Sequence, residues 1–293
     1  MIDTILNEVI NNPMDYDKIF DESFSYLPNV EEVDINFIIT VRDRLSFASP
    51  MYNSFLKASK NSTLKILYTV VEHSINRDHY DFCLANKINY IWIKANPNEL
   101  FNKCLAYNMA ALFTNKTKNY IFHDIDILVQ SDFFNKLGEN IENKKCNAIQ
   151  CFTGRRVICC KPTLTEKIIN GLVSPDEISM LSPEITIPKS GAPGGSIFVS
   201  RDLFFRVGGY DAELFLGYAP EDGFFWDKID TVDKMEVSDN PPIELYHMHH
   251  KPSINDNPHY RHMISLITIL YGCSFDDKIK LINFKEELIK KYK

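Results

Sequence analysis

Short apolar runs alternate with amphipathic stretches along the first 130 residues of the chain. Runs of this length predict buried β-strands, and the apolar spacing between them predicts helices. The expected strands are Val33 to Val41, Leu64 to Val71, Ile88 to Ile93 and Tyr120 to Phe122, with helices ending near residue 60 and running from about Asn98 to Phe113. This alternation predicts an α/β fold with a mainly parallel central sheet and flanking helices.

The pattern is less regular after about residue 145. The expected elements are a strand pair or hairpin over Asn147 to Pro162, a largely helical segment over Thr163 to Met180, a loop over Pro183 to Gly195, a strand over Ser196 to Ser200, a helix over Arg201 to Val207 and an aromatic-rich loop over Leu214 to Phe225. The helical spacing of the first apolar residues predicts a helical N-terminal extension over residues 1–30. Residues 256–293 are expected to form a C-terminal helical tail.

Polar side chains follow the apolar strands at the points where these strands end. They are Arg42 and Arg44 after the first strand, Glu72 after the second, and Asp124 and Asp126 after the strand at 120–122. Ligands of parallel sheets bind at the carboxyl ends of the strands. We therefore expect these side chains to converge on one edge of the sheet.

Composition and charge narrow the classes of function. The chain is 45% hydrophobic and 24% charged, which is ordinary for a globular protein. Its net charge of −7 argues against a nucleic-acid partner, although a small anionic ligand needs only local positive charge or a metal. The seven cysteines are scattered, with no CxxC pair, which predicts reduced thiols.

The N-terminal sequence lacks a basic region followed by a long apolar one, so no secretory signal is expected. No apolar run approaches the roughly 20 residues that cross a bilayer. We therefore expect a cytoplasmic protein without a transmembrane segment. The lysine-rich tail leaves a peripheral contact with a membrane surface open.

Two clusters of side chains suggest a metal site. Ionised carboxylates at the end of a buried strand, such as Asp124 and Asp126, need a counter-charge, and hard oxygen ligands suit Mg²⁺ or Mn²⁺. The sequence His247-Met248-His249-His250 offers imidazoles: His247 and His249 share a face of a strand, whereas a bend would bring His247 and His250 together. A mixed carboxylate–imidazole site suits a divalent transition metal such as Mn²⁺.

The adjacent acids Glu221 and Asp222 suggest acid–base chemistry. Neighbouring carboxylates point in different directions, so one can hold a ligand while the other accepts a proton. The surrounding aromatic residues favour exclusion of water and contact with the apolar faces of sugar rings.

These motifs, in this order over residues 35 to 252, resemble the β-1,4-galactosyltransferases, which are inverting glycosyltransferases of the GT-A fold. The similar segments are Thr40-Val41-Arg42-Asp43-Arg44, Phe101-Asn102-Lys103, His123-Asp124-Ile125-Asp126, Gly194-Gly195-Ser196 with the residues up to Tyr210, and Glu221-Asp222. The resemblance implies a GT-A glycosyltransferase domain over residues 31–255. It also implies transfer of galactose or N-acetylgalactosamine from a UDP-sugar to a hydroxyl of a glycan or glycoconjugate.

The resemblance also implies roles for individual residues. Asp222 would be the catalytic base, and Glu221 and Tyr218 would contact the acceptor. The residues expected to bind the donor nucleotide and sugar are Thr40, Arg42, Arg44, Glu72, Phe101, Lys103, Asp124, Gly194 and Gly195. The residues expected to bind Mn²⁺ or another divalent cation are Asp126, His247 and His250, with Asp124 and His249 as further candidates.

Several positions depart from the family pattern. His247 stands where the family has a methionine ligand, which keeps a metal site but alters its metal preference. The small Ala192, two residues before the Gly-Gly pair, leaves room for an N-acetyl group, so UDP-GalNAc competes with UDP-galactose as the donor. Two alternatives stay open: a retaining GT-A transferase, which would not need Asp222 as a base, and a catalytically silent module that binds a UDP-sugar or a carbohydrate.

Overall fold

The computed structural model describes residues 2–29, 31–114, 116–153, 157–186, 194–217, 219–251 and 257–293. The strands are β1 Phe24–Tyr26, β2 Val33–Val41, β3 Ile66–Ser74, β4 Asn89–Lys94, β5 Thr117–Asp124, β6 Ile127–Leu128, β7 Ala148–Gln150, β8 Ile158–Cys160, β9 Ile185–Thr186, β10 Ser196–Ser200, β11 Met235–Val237 and β12 Tyr246–His247. The α-helices are α1 Ile2–Asn11, α2 Tyr16–Glu22, α3 Leu45–Lys60, α4 Tyr80–Ala85, α5 Lys103–Phe113, α6 Phe133–Lys144, α7 Pro162–Ile169, α8 Arg201–Arg206, α9 Glu221–Val232, α10 Tyr260–Tyr271 and α11 Phe275–Ile289. Short 3₁₀ helices lie at Pro175–Met180, Ser182–Glu184 and Lys290–Tyr292.

The main sheet has the strand order β1-β4-β3-β2-β5-β10-β7-β11. Its central strands β4, β3, β2 and β5 are parallel, whereas β10 runs antiparallel to both β5 and β7. A smaller sheet, with the order β6-β12-β8-β9, lies beside it. The predicted α/β fold with a mainly parallel central sheet is therefore confirmed.

Strand β2 shows why the sheet is covered on both faces. Successive side chains of a strand point to opposite faces. Phe37 and Ile39 accordingly pack in one apolar cluster, with Phe55 of α3, while Ile38 packs in a second cluster, with Met109 of α5. A strand buried on both faces reads as a continuous apolar run, which explains the sequence pattern at 33–41.

Several predicted elements need correction. The helix expected from about residue 98 begins at Lys103, because the side chain of Asn102 caps it by accepting a bond from the backbone N–H of Leu105 at 2.8 Å. The hairpin expected over 147–162 is wrong, since β7 and β8 belong to different sheets. The aromatic-rich loop ends earlier than expected, because α9 begins at Glu221.

The two terminal segments pack against the same core as the sheet. In addition to the expected helices, residues 2–29 contain β1, which pairs with β4 as an edge strand. Tyr16 of α2 is buried and accepts a hydrogen bond from Asn108 of α5 at 2.7 Å. Apolar side chains of α1, α10 and α11 join the cluster that contains α5.

The lysines of the C-terminal segment have acidic partners. The pairs are Lys278 with Asp227, Lys280 with Asp277, Lys285 with Glu213, Lys290 with Glu287, Lys291 with Asp17 and Lys293 with Asp202. Intramolecular pairing leaves little net positive charge here for an anionic membrane surface. Among the described helices, each is too short or too polar to cross a bilayer.

Candidate active site

The ends of β2 and β5 lie side by side at one edge of the main sheet. Thr40 of β2 is in register with Asp124 of β5, and a two-residue turn of Ile125 and Asp126 then leads to β6. Arg44 follows β2 and reaches the same place, where it forms an ion pair with Asp126. The structure therefore brings together Arg44, Asp124 and Asp126, as the sequence predicts.

Asp126, His247 and His250 form a compact group of potential metal ligands. The Nε2 atom of His250 lies 2.9 Å from Oδ2 of Asp126, and Nε2 of His247 lies 3.8 Å from Oδ1. The two Nε2 atoms are 3.2 Å apart. One carboxylate and two imidazoles within 4.8 Å of one another are a donor set that a divalent transition metal accepts.

Strand pairing explains how residues far apart in sequence reach this site. His247 of β12 is in register with Ile127 of β6, and the N–H of Met248 donates to the carbonyl of Asp126 at 2.8 Å. The chain leaves the strand after His247, so His250 turns back toward Asp126. Of the two sequence alternatives, the structure adopts the bend.

Two further metal candidates lie outside this group. His249 is exposed, and its backbone N–H donates to Thr165 Oγ1 at 2.7 Å. Asp124 is engaged by other side chains and is not part of the group that the described residues form. Among the described residues, the candidate metal ligands that lie together are therefore Asp126, His247 and His250.

The surroundings of Asp126 favour its ionised form. Burial opposes ionisation, but the hydrogen bond with His250 and the charges of His247 and Arg44 outweigh it and hold the pKa of Asp126 well below its usual range. Nδ1 of His250 lies 2.8 Å from the carbonyl oxygen of Lys251. With Nδ1–H donated to this carbonyl, His250 would bind a cation through Nε2 once that atom has given up the proton that it donates to Asp126.

A second cluster lies next to the first and is centred on Lys103. Its Nζ atom lies 2.9 Å from Oδ2 of Asp222, 3.0 Å from Oδ1 of Asp124 and 3.3 Å from Oε1 of Glu221. Lys103 is the first residue of α5, and Glu221 and Asp222 are the first two of α9. The helix dipole favours acids at the start of a helix, which offsets part of the cost of burying these two.

Two tyrosine hydroxyls complete this cluster. Tyr210 donates to Oδ1 of Asp222 at 3.3 Å, and Tyr107 donates to Oδ1 of Asp124 at the same distance. Sequence reasoning did not include either tyrosine among the site residues. Tyr107 was detectable, because it lies four residues after Lys103 on the same helix and therefore on the same face.

Burial changes the proton affinities of the two acids. Burial raises the pKa of Glu221 to about 8; the Lys103 ammonium opposes this change, and the charge of Asp222 adds to it. Burial also raises the pKa of Asp222, against the opposing effect of Lys103. Within the described part of the chain, Oε2 of Glu221 is buried and has no hydrogen-bond partner.

The Gly-Gly pair allows close approach of the chain to these acids. A Cβ atom on Gly194 would overlap the carboxylate of Asp222. Gly195 has a φ of +94°, a conformation that favours glycine, and its carbonyl accepts a bond from the N–H of Asp124 at 3.0 Å. Both glycines therefore lie at the junction of Asp124 and Asp222, and their contact with the donor stays a prediction.

Other residues predicted to bind the donor lie at or just after the end of β2, or just before α5. Thr40 is buried at the end of β2, and Arg42 donates from Nη1 to the carbonyl of Glu99 at 2.5 Å. The carbonyl of Phe101 accepts a bond from the N–H of Gly217 at 2.8 Å, which ties the segment before α5 to the segment before α9. Tyr218, predicted to contact the acceptor, and Ala192 lie outside the described residues.

Glu72 differs from its prediction. Its side chain is fully buried, and its carboxylate accepts bonds from the N–H groups of Asp78 and His79 at 3.1 Å and from the hydroxyl of Tyr90 at 2.5 Å. Burial opposes ionisation, yet the interactions with His79 and Tyr90 leave the pKa of Glu72 below its ordinary value. We therefore assign Glu72 to holding the 78–79 turn against the sheet and no longer expect it to bind the donor.

Comparisons with known proteins identify the fold. No family model and no curated protein matches the sequence. Among solved structures, glucosyl-3-phosphoglycerate synthase from Mycobacterium tuberculosis with phosphoglyceric acid matches with a TM-score of 0.52, 14% identity, and coverage of 83% of this chain and 81% of that one. The same enzyme with Mn²⁺, UDP and glucosyl-3-phosphoglycerate gives a TM-score of 0.51 at 14% identity and the same coverage of each chain.

The catalytic domain of Drosophila β1,4-galactosyltransferase 7 with xylobiose is also similar, with a TM-score of 0.48, 14% identity, and coverage of 77% of this chain and 74% of that one. At such identities these neighbours bear on the fold alone. The two M. tuberculosis structures, together with the sheet order above, show that the chain has the GT-A fold.

Proposed function

We propose that this protein is a metal-dependent glycosyltransferase that moves a sugar from a UDP-sugar to an acceptor hydroxyl. One observation carries the proposal. The carboxylate–imidazole group of Asp126, His247 and His250 lies beside the buried acid pair Glu221–Asp222 at the strand ends of a GT-A sheet. This juxtaposition supplies a place for a diphosphate-bound cation next to a place for a base.

The donor set fits a divalent cation such as Mn²⁺, held by Asp126, His247 and His250. When bound, such a cation offsets the negative charge that develops on the UDP leaving group. Structures of the M. tuberculosis synthase hold Mn²⁺ or Mg²⁺ together with UDP, which supports a cation and nucleotide of this kind here. Arg42 and Arg44 would bind the uracil, ribose or phosphates, since the planar guanidinium group suits each of them.

The reaction that we propose proceeds with inversion. Asp222 removes the proton from the acceptor hydroxyl as its oxygen attacks the anomeric carbon, and the bond from that carbon to UDP breaks on the opposite side. Glu221 orients the acceptor, with Tyr218 as a further predicted contact, and Asp124, Gly194 and Gly195 border the donor sugar. The donor is UDP-galactose or UDP-GalNAc, the acceptor a glycan or glycoconjugate, and the location cytoplasmic.

The two alternatives predict different results. A retaining transferase would give the same anomeric configuration in product and donor, and replacing Asp222 by Asn would spare its activity. A silent binding module would bind UDP but release none from any UDP-sugar. The buried position of Asp222 at hydrogen-bond distance from Tyr210 and Lys103 favours a role as a base over the second alternative.

The test measures UDP release from a panel of UDP-sugars, with Mn²⁺ or EDTA, and the anomeric configuration of the product by NMR. We expect metal-dependent release from one donor, lost in D126A, H247A and H250A and retained in the matched control H249A. D222N should keep UDP affinity and lose about 10²- to 10⁴-fold in kcat, the usual contribution of a general base. Absence of UDP binding in the wild type would refute the proposal, and UDP binding without turnover would favour the silent module.

A further inference from the structure

We propose that Lys103 is a positioning residue for the base, which keeps Asp222 ionised and fixed in direction, and that it does not bind the nucleotide as its sequence motif implies. The inference rests on the proposed function, because it assigns Lys103 to the acceptor side of the same site.

The ammonium of Lys103 is already surrounded by carboxylates and donates a hydrogen bond to Asp222. A lysine ammonium has three N–H donors. Three carboxylate oxygens surround Nζ at 2.9, 3.0 and 3.3 Å, on Asp222, Asp124 and Glu221. Binding a phosphate would draw the ammonium away from Asp222, whose side chain is 14% exposed and would be left with an uncompensated charge.

The backbone around Lys103 is held firmly in place. Asn102, immediately before it, caps α5 with its side-chain oxygen and donates from Nδ2 to the carbonyl of Ala212 at 2.9 Å. The backbone N–H of Asn102 also donates to Nδ1 of His73 at 3.0 Å. Because its backbone is held in place and its side chain is only 13% exposed, the side chain of Lys103 has little freedom to move toward solvent.

The charge balance shows what Lys103 does for Asp222. The titratable groups that face Asp222 are Asp124 from β5, Cys104 and Tyr107 from α5, Tyr210 from the segment after α8, and Glu221 from α9. Ionised carboxylates among these disfavour a further negative charge on Asp222, whereas the Lys103 ammonium favours it. Without Lys103, Asp222 would take up a proton and lose its ability to accept one from the acceptor.

The geometry also assigns Lys103 a directional role. Its ammonium binds Oδ2 of Asp222, and Tyr210 donates to Oδ1. With both oxygens engaged, the plane of the carboxylate is set, and Gly194 leaves room for it because it carries no Cβ. Contacts of this kind hold a catalytic base in its orientation to within a fraction of an ångström.

The test compares K103M with K103R. For each we would measure UDP affinity by calorimetry with Mn²⁺, and kcat from pH 5 to 9. For K103M we expect UDP affinity within about 3-fold of the wild type and a fall in kcat of about 100-fold at pH 7, since the base is largely lost. The acidic limb of its pH–rate profile should move to higher pH. K103R restores the positive charge and should recover most of the kcat.

Two results would overturn the inference: a tenfold or greater loss of UDP affinity in K103M with an unmoved pH profile, or an equal fall in kcat at every pH that K103R does not recover. If K103M does not fold, K103Q replaces it, because glutamine keeps N–H donors near the carboxylates but carries no charge. Failure of the proposed function is distinguishable, since the wild type itself would then release no UDP from any donor.

Discussion

Glu221 should make the stability of the protein depend on pH, and Glu221→Gln should remove that dependence. The side chain is 7% exposed, and burial raises its pKa from an ordinary value of 4.5 to about 8, with Lys103 opposing and the charge of Asp222 reinforcing the change. Over most of the neutral range Glu221 is therefore protonated in the folded protein and ionised in the unfolded chain. Glutamine has the same shape as the protonated acid but cannot ionise.

The sign of the effect follows from linkage. Because the folded pKa lies above the unfolded one, the folded state binds the proton more tightly, and this contribution to stability is complete below about pH 4.5. It is lost progressively as the pH rises through 8. Each tenfold difference in proton affinity is worth about 1.4 kcal/mol, so the loss reaches at most on the order of 5 kcal/mol by about pH 9.

The assay is urea denaturation followed by circular dichroism at pH 5, 6, 7, 8 and 9 for the wild type and E221Q. Subtracting the two curves cancels titration elsewhere in the chain. We expect similar free energies of unfolding at pH 5 and a growing advantage for E221Q up to pH 9. E221A serves as the control for lost packing. A difference that stays constant across this range would refute the assignment of a proton to Glu221.

Two further predictions concern the metal group and a buried ion pair. Mn²⁺ at about 100 times its Kd should stabilise the wild type by about 2.7 kcal/mol, or roughly 5 to 10 °C in Tm, by binding the folded state. Differential scanning fluorimetry should show this shift lost in H247A and H250A and kept in H249A; a shift that survives all three changes would place the metal elsewhere. Lys228 and Asp211 lie 2.6 Å apart with side chains 1% and 2% exposed, so K228M should cost about 3 to 5 kcal/mol of unfolding free energy in urea. K228M/D211N should recover most of it, whereas additive losses would show that the pair is not coupled.

Local patterns were sufficient to predict the parts of the fold that depend on short-range signals. The mostly apolar run at 33–41 became β2 at those positions, because a strand covered on both faces is apolar at most positions along its length. The N-terminus of α9 also had a local signal that the sequence interpretation overlooked: Pro220 followed by two acids is typical of a helix start. By contrast, the false hairpin at 147–162 arose because β7 and β8 find their partners in distant segments, β10 and β12.

In the candidate site, too, the sequence predicted the features that depend on local signals and missed those that depend on distant contacts. The rule that ligands of a parallel sheet bind at the ends of its strands correctly predicted that Arg44, Asp124 and Asp126 lie together. This rule needs only the positions where strands end. The same rule failed for Glu72, because its side chain points into the protein and binds a neighbouring turn. The spacing of residues in the sequence does not predict this direction. The sequence also could not predict which residues pair with Lys103, because this pairing joins the starts of two helices that are more than a hundred residues apart.

The turn after β5 connects the cluster around Lys103 to the group of potential metal ligands. The carboxylate of Asp124 pairs with Lys103, next to the proposed base. The carboxylate of Asp126, two residues later, contacts the imidazoles that would hold the metal. His123 braces this turn: its Nε2 lies 2.7 Å from the carbonyl of Ile127, beyond the turn, and its Nδ1 lies 2.8 Å from Ser196 Oγ on β10. Burial lowers the pKa of His123 to about 4, so the ring is neutral and holds one proton for these two contacts. A braced turn fixes the separation between the two clusters before any substrate binds, which is the preorganisation that the proposed transfer would require.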